Sequence, residues 1–261
     1  MAKSIFASLR HALANKGFVI AVAGTVAVLL LSSVQGIFSA FRSESLMQWG
    51  YHTDFVISAL SSNAMTLALP ILCALPYTAA VLDDIKSGFI KAYLPRTTVK
   101  RYLAGKIAAC AISGALVMVI GILLAWGLAA LLFLPLESAP TILVDAAGKL
   151  IEVEKAASPL PGTIFRMCFS GSFWALVGML FATLTGSKYM AYASPFVIYY
   201  VLIILYERYF DKLYVIYPKE WLSPSAAWTY GDWGVVILLA ELTAIAALCT
   251  SFAAKRRLSE I

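Results

Sequence analysis

The stretch IAACAISGALVMVIGILLAWGLAALLFLPL, residues 107–136, decides the class of this protein because it runs for 30 residues without a charged side chain. A helix needs about 20 apolar residues to cross the roughly 30 Å hydrocarbon core of a bilayer. The whole chain of 261 residues has a similar character, with 61% hydrophobic and 13% charged residues, against about 45–50% and about 25% in soluble domains. Its mean hydropathy is +0.85. The sequence therefore predicts an all-α integral membrane protein that forms a single transmembrane domain over residues 1–261.

Five further apolar stretches have spanning length, and together they predict six transmembrane helices. We place these spans at about residues 17–38, 58–82, 100–134, 163–186, 189–207 and 233–254. The second and third apolar stretches exceed one crossing, so we expect them to tilt, to project beyond the bilayer or to break at Pro70, Pro76 or Gly121.

The N-terminal residues 4–16 are too polar to span a membrane. Apolar side chains recur there at helical spacing beside Lys3, Arg10 and Lys16, a pattern typical of a helix that lies along the membrane interface. A short frayed tail is the alternative. At the other face of the membrane, segment 207–232 is rich in Tyr and Trp, which favours an interfacial position and predicts re-entrant outer helices between spans five and six.

Basic residues are distributed unequally between the two sides of the predicted spans. With the N-terminus in the cytosol, thirteen of the 20 Lys and Arg fall on the cytosolic side and seven on the other. Cytosolic loops of membrane proteins carry an excess of Lys and Arg. We therefore expect a multi-pass protein of the cell membrane, either a plasma or an inner membrane, with both termini in the cytosol.

No motif of catalysis or nucleotide binding occurs in the sequence. It contains no GxxxxGK loop followed by Ser or Thr, no GxSxG elbow and no HExxH helix. The only histidines, His11 and His52, lie outside the apolar stretches, and the four cysteines are widely separated. The net charge of +6 belongs to loops beside a membrane and not to a nucleic-acid surface. We predict no catalytic residue, no metal ligand, no cofactor bound by this chain and no nucleic-acid partner.

Glu241 is the only carboxylate well inside a predicted span, where a charge costs at least about 2.5 kcal/mol on insertion scales. Our leading interpretation is structural: a helix-packing contact, or a pair with Arg166, which lies near the outer end of the fourth span. Substrate or proton chemistry and solvation in a water-filled path are the alternatives.

The segment between the second and third spans reads DDIKSGFIKAYLPRTTVKRYLAGK, residues 83–106. Ile85, Phe89 and Tyr93 fall on one helical face, and Pro95 disfavours helical geometry at the residue before it. The pattern predicts a short amphipathic cytosolic helix over about residues 83–94, of a kind suited to docking onto a soluble partner.

This segment resembles the first cytosolic loop in the membrane subunits of type-2 ATP-binding cassette (ABC) exporters. That loop typically has an acidic pair, a core similar to Ser-Gly-Phe-Ile, a basic turn, and Tyr-Leu and Lys before the third span. In the family it forms the coupling helix that docks into the ATP-hydrolysing subunit. The resemblance therefore assigns partner binding to eight residues: Asp84, Ile85, Lys86, Ser87, Gly88, Phe89, Ile90 and Lys91.

The resemblance implies a permease subunit that pairs with a second permease chain, as a homodimer or heterodimer, and with two soluble ABC ATPase subunits. ATP and Mg would bind to those partner chains. Because the spans carry few charges, we expect an amphipathic or apolar cargo such as a peptide, a lipid-linked molecule or a drug. The alternative is a non-transporting membrane anchor or immunity protein that docks a cytosolic partner. A secondary transporter that uses Glu241 is a third hypothesis.

Overall fold

The computed structural model describes residues 2–34, 52–90, 98–132, 141–144, 150–153, 160–210, 212–224, 228 and 230–259. These residues are overwhelmingly helical, as the apolar pattern predicts. The helices are α1 (Ala2–Leu13), α2 (Lys16–Ser32), α3 (His52–Leu60), α4 (Asn63–Ala74), α5 (Ala80–Lys86), α6 (Val99–Leu132), α7 (Leu160–Thr185), α8 (Lys188–Tyr209), α9 (Pro218–Leu222) and α10 (Asp232–Leu258). The prediction did not include the short antiparallel hairpin of β1 (Thr141–Val144) and β2 (Leu150–Val153), in which Thr141 lies opposite Val153.

Four helices, α6, α7, α8 and α10, are long and apolar enough to cross a membrane. They coincide with the predicted spans three to six, apart from residues 133–134, which lie outside the described residues. A fifth span results if α1 and α2, which meet at a bend of 58°, are counted as one broken span. The chain is thus a multi-pass membrane protein, but the described residues do not reach the predicted count of six.

The first and second predicted spans differ most from the sequence-based prediction. Helix α2 has 17 residues, and residues 35–38 of the predicted first span lie outside the described residues. The second span is divided into α3, α4 and α5. Ser62 interrupts it by accepting a hydrogen bond from the backbone N–H of Met65 at 3.2 Å, the geometry of a new helix N-terminus. Turns at residues 75–79 separate α4 from α5.

Of the three breaks considered, only the one at Pro76 corresponds to an interruption. Pro70 lies inside α4, and Gly121 lies inside the continuous helix α6.

Helix α7 occupies the centre of the bundle and packs against α4, α6, α8 and α10. Its backbone approaches α6 closely at Gly171 and Gly114, where a Cβ on either glycine would lie 2.5 Å from the carbonyl oxygen of the other. Farther along α7, Trp174 is fully buried. The contact between α6 and α7 therefore depends on two residues without side chains.

The segment between α8 and α10 folds back onto α7. Its 3-10 turn, Tyr214–Ile216, is followed by α9, where Trp221 is buried and its ring centroid lies 5.8 Å from that of Phe173. The Trp221 indole N–H donates a hydrogen bond of 2.9 Å to the carbonyl of Val215. Because Phe173 lies about 20 Å along α7 from its first residue, at 1.5 Å per residue, α9 contacts the middle of that helix.

The joint between α1 and α2 is fixed to the turns after α4. The Asn15 side chain accepts a hydrogen bond from the Gly17 N–H at 3.2 Å and donates one of 2.9 Å to the carbonyl of Pro76. Ala12 is fully buried, and α1 packs against α6. Helix α1 therefore has defined contacts with the bundle, which favours an ordered helix over a frayed tail.

Candidate functional site

Five helix ends meet at one end of the bundle, which we call the basic end: the ends of α5, α7 and α10 and the starts of α6 and α8. Two ion pairs and one hydrogen bond join them. Asp84 pairs with Lys106, and Asp83 pairs with Lys188 at 2.5 Å. Arg257 of α10 donates a hydrogen bond to a backbone carbonyl near the end of α7. The segment predicted to dock a partner thus lies among the helix ends of the bundle.

Asp84, Lys106, Tyr102 and Tyr77 form a connected polar group, which we call the Asp84 cluster. Lys106 Nζ lies 2.7 Å from Asp84 Oδ2, and the Tyr102 hydroxyl donates a hydrogen bond of 2.6 Å to the same oxygen. Lys106 Nζ also donates to the Tyr77 hydroxyl at 3.1 Å. The cluster therefore joins the last turn of α5 to the first turns of α6.

The two charges of the Asp84 cluster are largely shielded from solvent. The Lys106 side chain is 13% exposed and the Asp84 side chain 19%. Lys106 Nζ also lies 5.2 Å from the ring centroid of Tyr77 and 5.8 Å from that of Tyr102, within cation–π range. A charge removed from water needs such compensation, so the cluster favours one fixed position of α5 relative to α6.

The chain turns sharply after α5. The Ser87 N–H donates to the carbonyl of Asp83, and the Gly88 N–H donates to that of Ile85 at 3.2 Å. Gly88 has φ of +72°, which L side chains rarely adopt and glycine adopts freely. Phe89 and Ile90 are helical again. The described residues therefore divide the helix predicted over 83–94 at Gly88, and residues 91–94 lie outside the described residues.

The predicted docking residues separate into two groups. Lys86, Ser87, Gly88 and Phe89 are exposed, and we call these four residues the exposed turn. The side chain of Phe89 is 50% exposed, although a solvated aromatic ring is unfavourable. The exposed turn is thus the part of the predicted site that a partner could contact.

Three other predicted docking residues face their own chain. Asp84 belongs to the Asp84 cluster, Ile85 packs half-buried against the hydrophobic core, and Ile90 is buried. Ile85 and Phe89, which the sequence places on one helical face, thus differ in burial, and the turn at Gly88 lies between them in the chain. Lys91 lies outside the described residues.

An open cavity of about 420 Å³ lies beside the exposed turn. Its lining includes His11 from α1, all four members of the Asp84 cluster, and Phe89 from the exposed turn. The ring centroids of His11 and Tyr77 lie 6.0 Å apart. The cavity therefore gives the Asp84 cluster a route to the surface next to Phe89.

Arg166 and Glu241 do not form the pair expected from the sequence. Arg166 is buried in α7 and donates a hydrogen bond of 3.0 Å to the Thr163 hydroxyl. Glu241 is exposed on the outer side of α10. No ion pair joins them in the part of the chain that the structure describes. Spacing along two helices does not determine how each helix is rotated, and α10 turns Leu239, not Glu241, into the core.

Sequence reasoning missed Tyr77, Tyr102 and Lys106 as site residues. The sequence could have indicated Tyr102 and Lys106 as site residues. They are four residues apart at the start of an apolar helix and therefore share one face. Tyr77 gave no such signal, since it follows Pro76 in a turn between helices. Among the residues that the structure describes, no group of three or more His, Cys, Asp or Glu side chains is placed to hold a metal ion.

No protein-family model and no curated protein sequence matches this chain. The geometry of the basic end therefore carries the functional argument.

Proposed function

We propose that the chain is the permease subunit of an ATP-driven exporter of the type-2 ABC class, whose ATP is hydrolysed by separate soluble subunits. The observation that carries this proposal is the exposed turn, which the Asp84 cluster joins to α6. Helix α6 is the longest helix described, with 34 residues, and it packs against α1, α2 and α7. A partner that moves the exposed turn would thus move a long helix that packs against three others.

The exposed turn has the chemistry of a small docking site. Phe89 supplies an aromatic ring that gains from burial in a partner, and Lys86 supplies a cation at the rim. Interfaces commonly depend on a few such anchors surrounded by polar groups. Because the turn is held by Gly88 and by the Asp84 cluster, little conformational freedom would be lost on binding.

The arrangement in the membrane follows from the same proposal. The basic end faces the cytosol, both termini lie on that side, and the chain crosses the cell membrane six times, with α3 and α4 together supplying the second crossing. The 3-10 turn and α9 form the re-entrant outer segment, in keeping with the burial of Trp221 against α7. Two permease chains enclose a path for an amphipathic or apolar cargo, and two ABC ATPase subunits bind ATP and Mg. Membrane lipid surrounds the pair.

A membrane anchor or immunity protein would use the same exposed turn without moving a cargo. ATP-dependent accumulation of cargo in vesicles that contain both chains distinguishes the two functions. The joining of the exposed turn to α6 favours the permease, because an anchor has no need to transmit motion into the membrane.

The test is affinity purification of the full-length protein from its own membranes, with identification of any ABC ATPase in the eluate. Phe89→Ala should remain folded and membrane-inserted but lose the ATPase, since truncation of an aromatic anchor costs about 2 kcal/mol, or about thirtyfold in affinity. Tyr189→Ala is the matched control, because Tyr189 is an exposed aromatic residue at the same end of the bundle, 86% exposed. It should retain the partner.

Two results would contradict the proposal. One is the absence of any ABC ATPase from the eluate of the wild-type protein. The other is full retention of the ATPase, and of cargo-stimulated ATP hydrolysis, by Phe89→Ala.

A further inference from the structure

A second cavity at the basic end lies between the last turns of α7 and α10. It measures about 250 Å³, and the described residues that line it are Thr183, Leu184, Ala253, Arg256 and Arg257. The cavity is open to solvent and is larger than the space of one water molecule, so a phosphate group can enter it. Two arginines border it, and Arg is the side chain best matched to phosphate oxygens.

Arg257 is held in place by the end of α7. Its Nη1 donates a hydrogen bond of 2.5 Å to the carbonyl of Thr183 and one of 3.5 Å to that of Leu184. Gly186, with φ of +71°, lies against the same guanidinium, and a Cβ there would collide with Nη2. Carbonyls at a helix C-terminus repel anions, but Arg257 covers two of them. The guanidinium therefore forms a fixed wall of the cavity.

The position of this cavity favours a lipid over a free anion. It lies at the last turns of two candidate spans, which places it at the level of lipid headgroups whichever way the chain is oriented. Leu248 and Phe252 precede Arg256 at helical spacing, and they are 71% and 73% exposed. An acyl chain could lie along them while its headgroup occupies the cavity.

We propose that this cavity binds the phosphate of an anionic phospholipid, with Arg256 and Arg257 as its ligands. Basic pockets between transmembrane helices are suited to acidic headgroups. A zwitterionic lipid would bring its own cation towards Lys255, Arg256 and Arg257 and should bind less well. The proposal does not depend on the exporter function, since it concerns a different pair of helices and no partner protein.

The test measures the thermal stability of the purified full-length protein in a neutral detergent. Phosphatidylglycerol, phosphatidylcholine and inorganic phosphate are titrated separately. Phosphatidylglycerol should raise the melting temperature in a saturable manner, and phosphatidylcholine should not. Arg256→Gln should increase the half-saturating concentration of phosphatidylglycerol about fivefold, because one basic residue near a charged headgroup contributes about that factor. Arg256→Lys should increase this half-saturating concentration by a smaller factor than Arg256→Gln does.

Arg101→Gln is the matched control, because Arg101 is exposed at the same end of the bundle but does not line this cavity. Equal losses in Arg101→Gln and Arg256→Gln would show general attraction to basic residues and would overturn the site. A full shift with inorganic phosphate alone would identify a free-anion site and overturn the lipid assignment. An unchanged phosphatidylglycerol response in Arg256→Gln would also overturn it.

Discussion

Lys106 Nζ lies 2.7 Å from Oδ2 of Asp84, so an ion pair connects the segment before the exposed turn to the base of the longest described helix. The Tyr102 hydroxyl shares the same carboxylate oxygen. Asp84 was predicted to face a partner, but it instead braces the turn from within. In the proposed docking site, the exposed residues and the residues that hold them in position are therefore different.

Lys106→Met should destabilise the protein by about 3 kcal/mol, because it leaves the Asp84 carboxylate without its cation in a largely buried site. The free energy of unfolding of the purified protein measures this loss. The double variant Asp84→Asn with Lys106→Met should lose less than Lys106→Met alone, because no uncompensated charge then remains. If the loss in the double variant equals the sum of the losses in Asp84→Asn and Lys106→Met alone, the two residues are not directly coupled.

Gly88→Val should destabilise the turn, whereas Gly88→Asn should be tolerated. A Cβ at Gly88 would meet no atom within 4 Å, so the difference arises from φ of +72°, which costs an ordinary L residue about 1–2 kcal/mol and Asn less. Melting temperatures of the two variants without a partner provide the measurement. Equal losses in both would mean that the backbone conformation is not what requires glycine.

Gly114→Ala should destabilise the bundle by about 1–3 kcal/mol, the usual cost of overpacking. The new Cβ would lie 2.5 Å from the Gly171 carbonyl oxygen and 2.7 Å from Ala175 Cβ, so α6 and α7 would have to move apart. Gly127→Ala on the same helix is the control, because a Cβ there meets nothing within 4 Å. We expect it to leave the melting temperature unchanged or to raise it slightly. A similar loss in both variants would contradict the close approach.

Glu241→Gln should leave the stability of the purified chain unchanged or raise it. Glu241 is exposed on α10, so its neutralisation breaks no ion pair with Arg166. Arg166→Gln should lower stability, because that side chain is buried and hydrogen-bonded to Thr163. The melting curves of the two variants are the measurement, and a marked loss in Glu241→Gln would restore the pairing interpretation.

Much of the helical framework could be predicted from the sequence. The fifth predicted span, residues 189–207, corresponds to α8 at Lys188–Tyr209, and the sixth, residues 233–254, lies within α10 at Asp232–Leu258.

The candidate site was only partly predictable. Residues 86–89 of the docking segment are exposed, whereas Ile85 is half-buried against the core and Ile90 is buried. The left-handed backbone at Gly88 interrupts the helix, which a periodic pattern cannot show.

The sequence by itself determined the class of the protein and the approximate bounds of its long helices, because the length of an uncharged stretch is a local property that must match the thickness of a bilayer. Only the tertiary structure decided which side of each helix meets a neighbour. It joined Asp84 to Lys106, left Glu241 on the surface of α10 and placed Arg257 against the end of α7. These contacts depend on the rotation and depth of packed helices, which are set by close approaches such as Gly114 to Gly171 and not by the residues of any one helix.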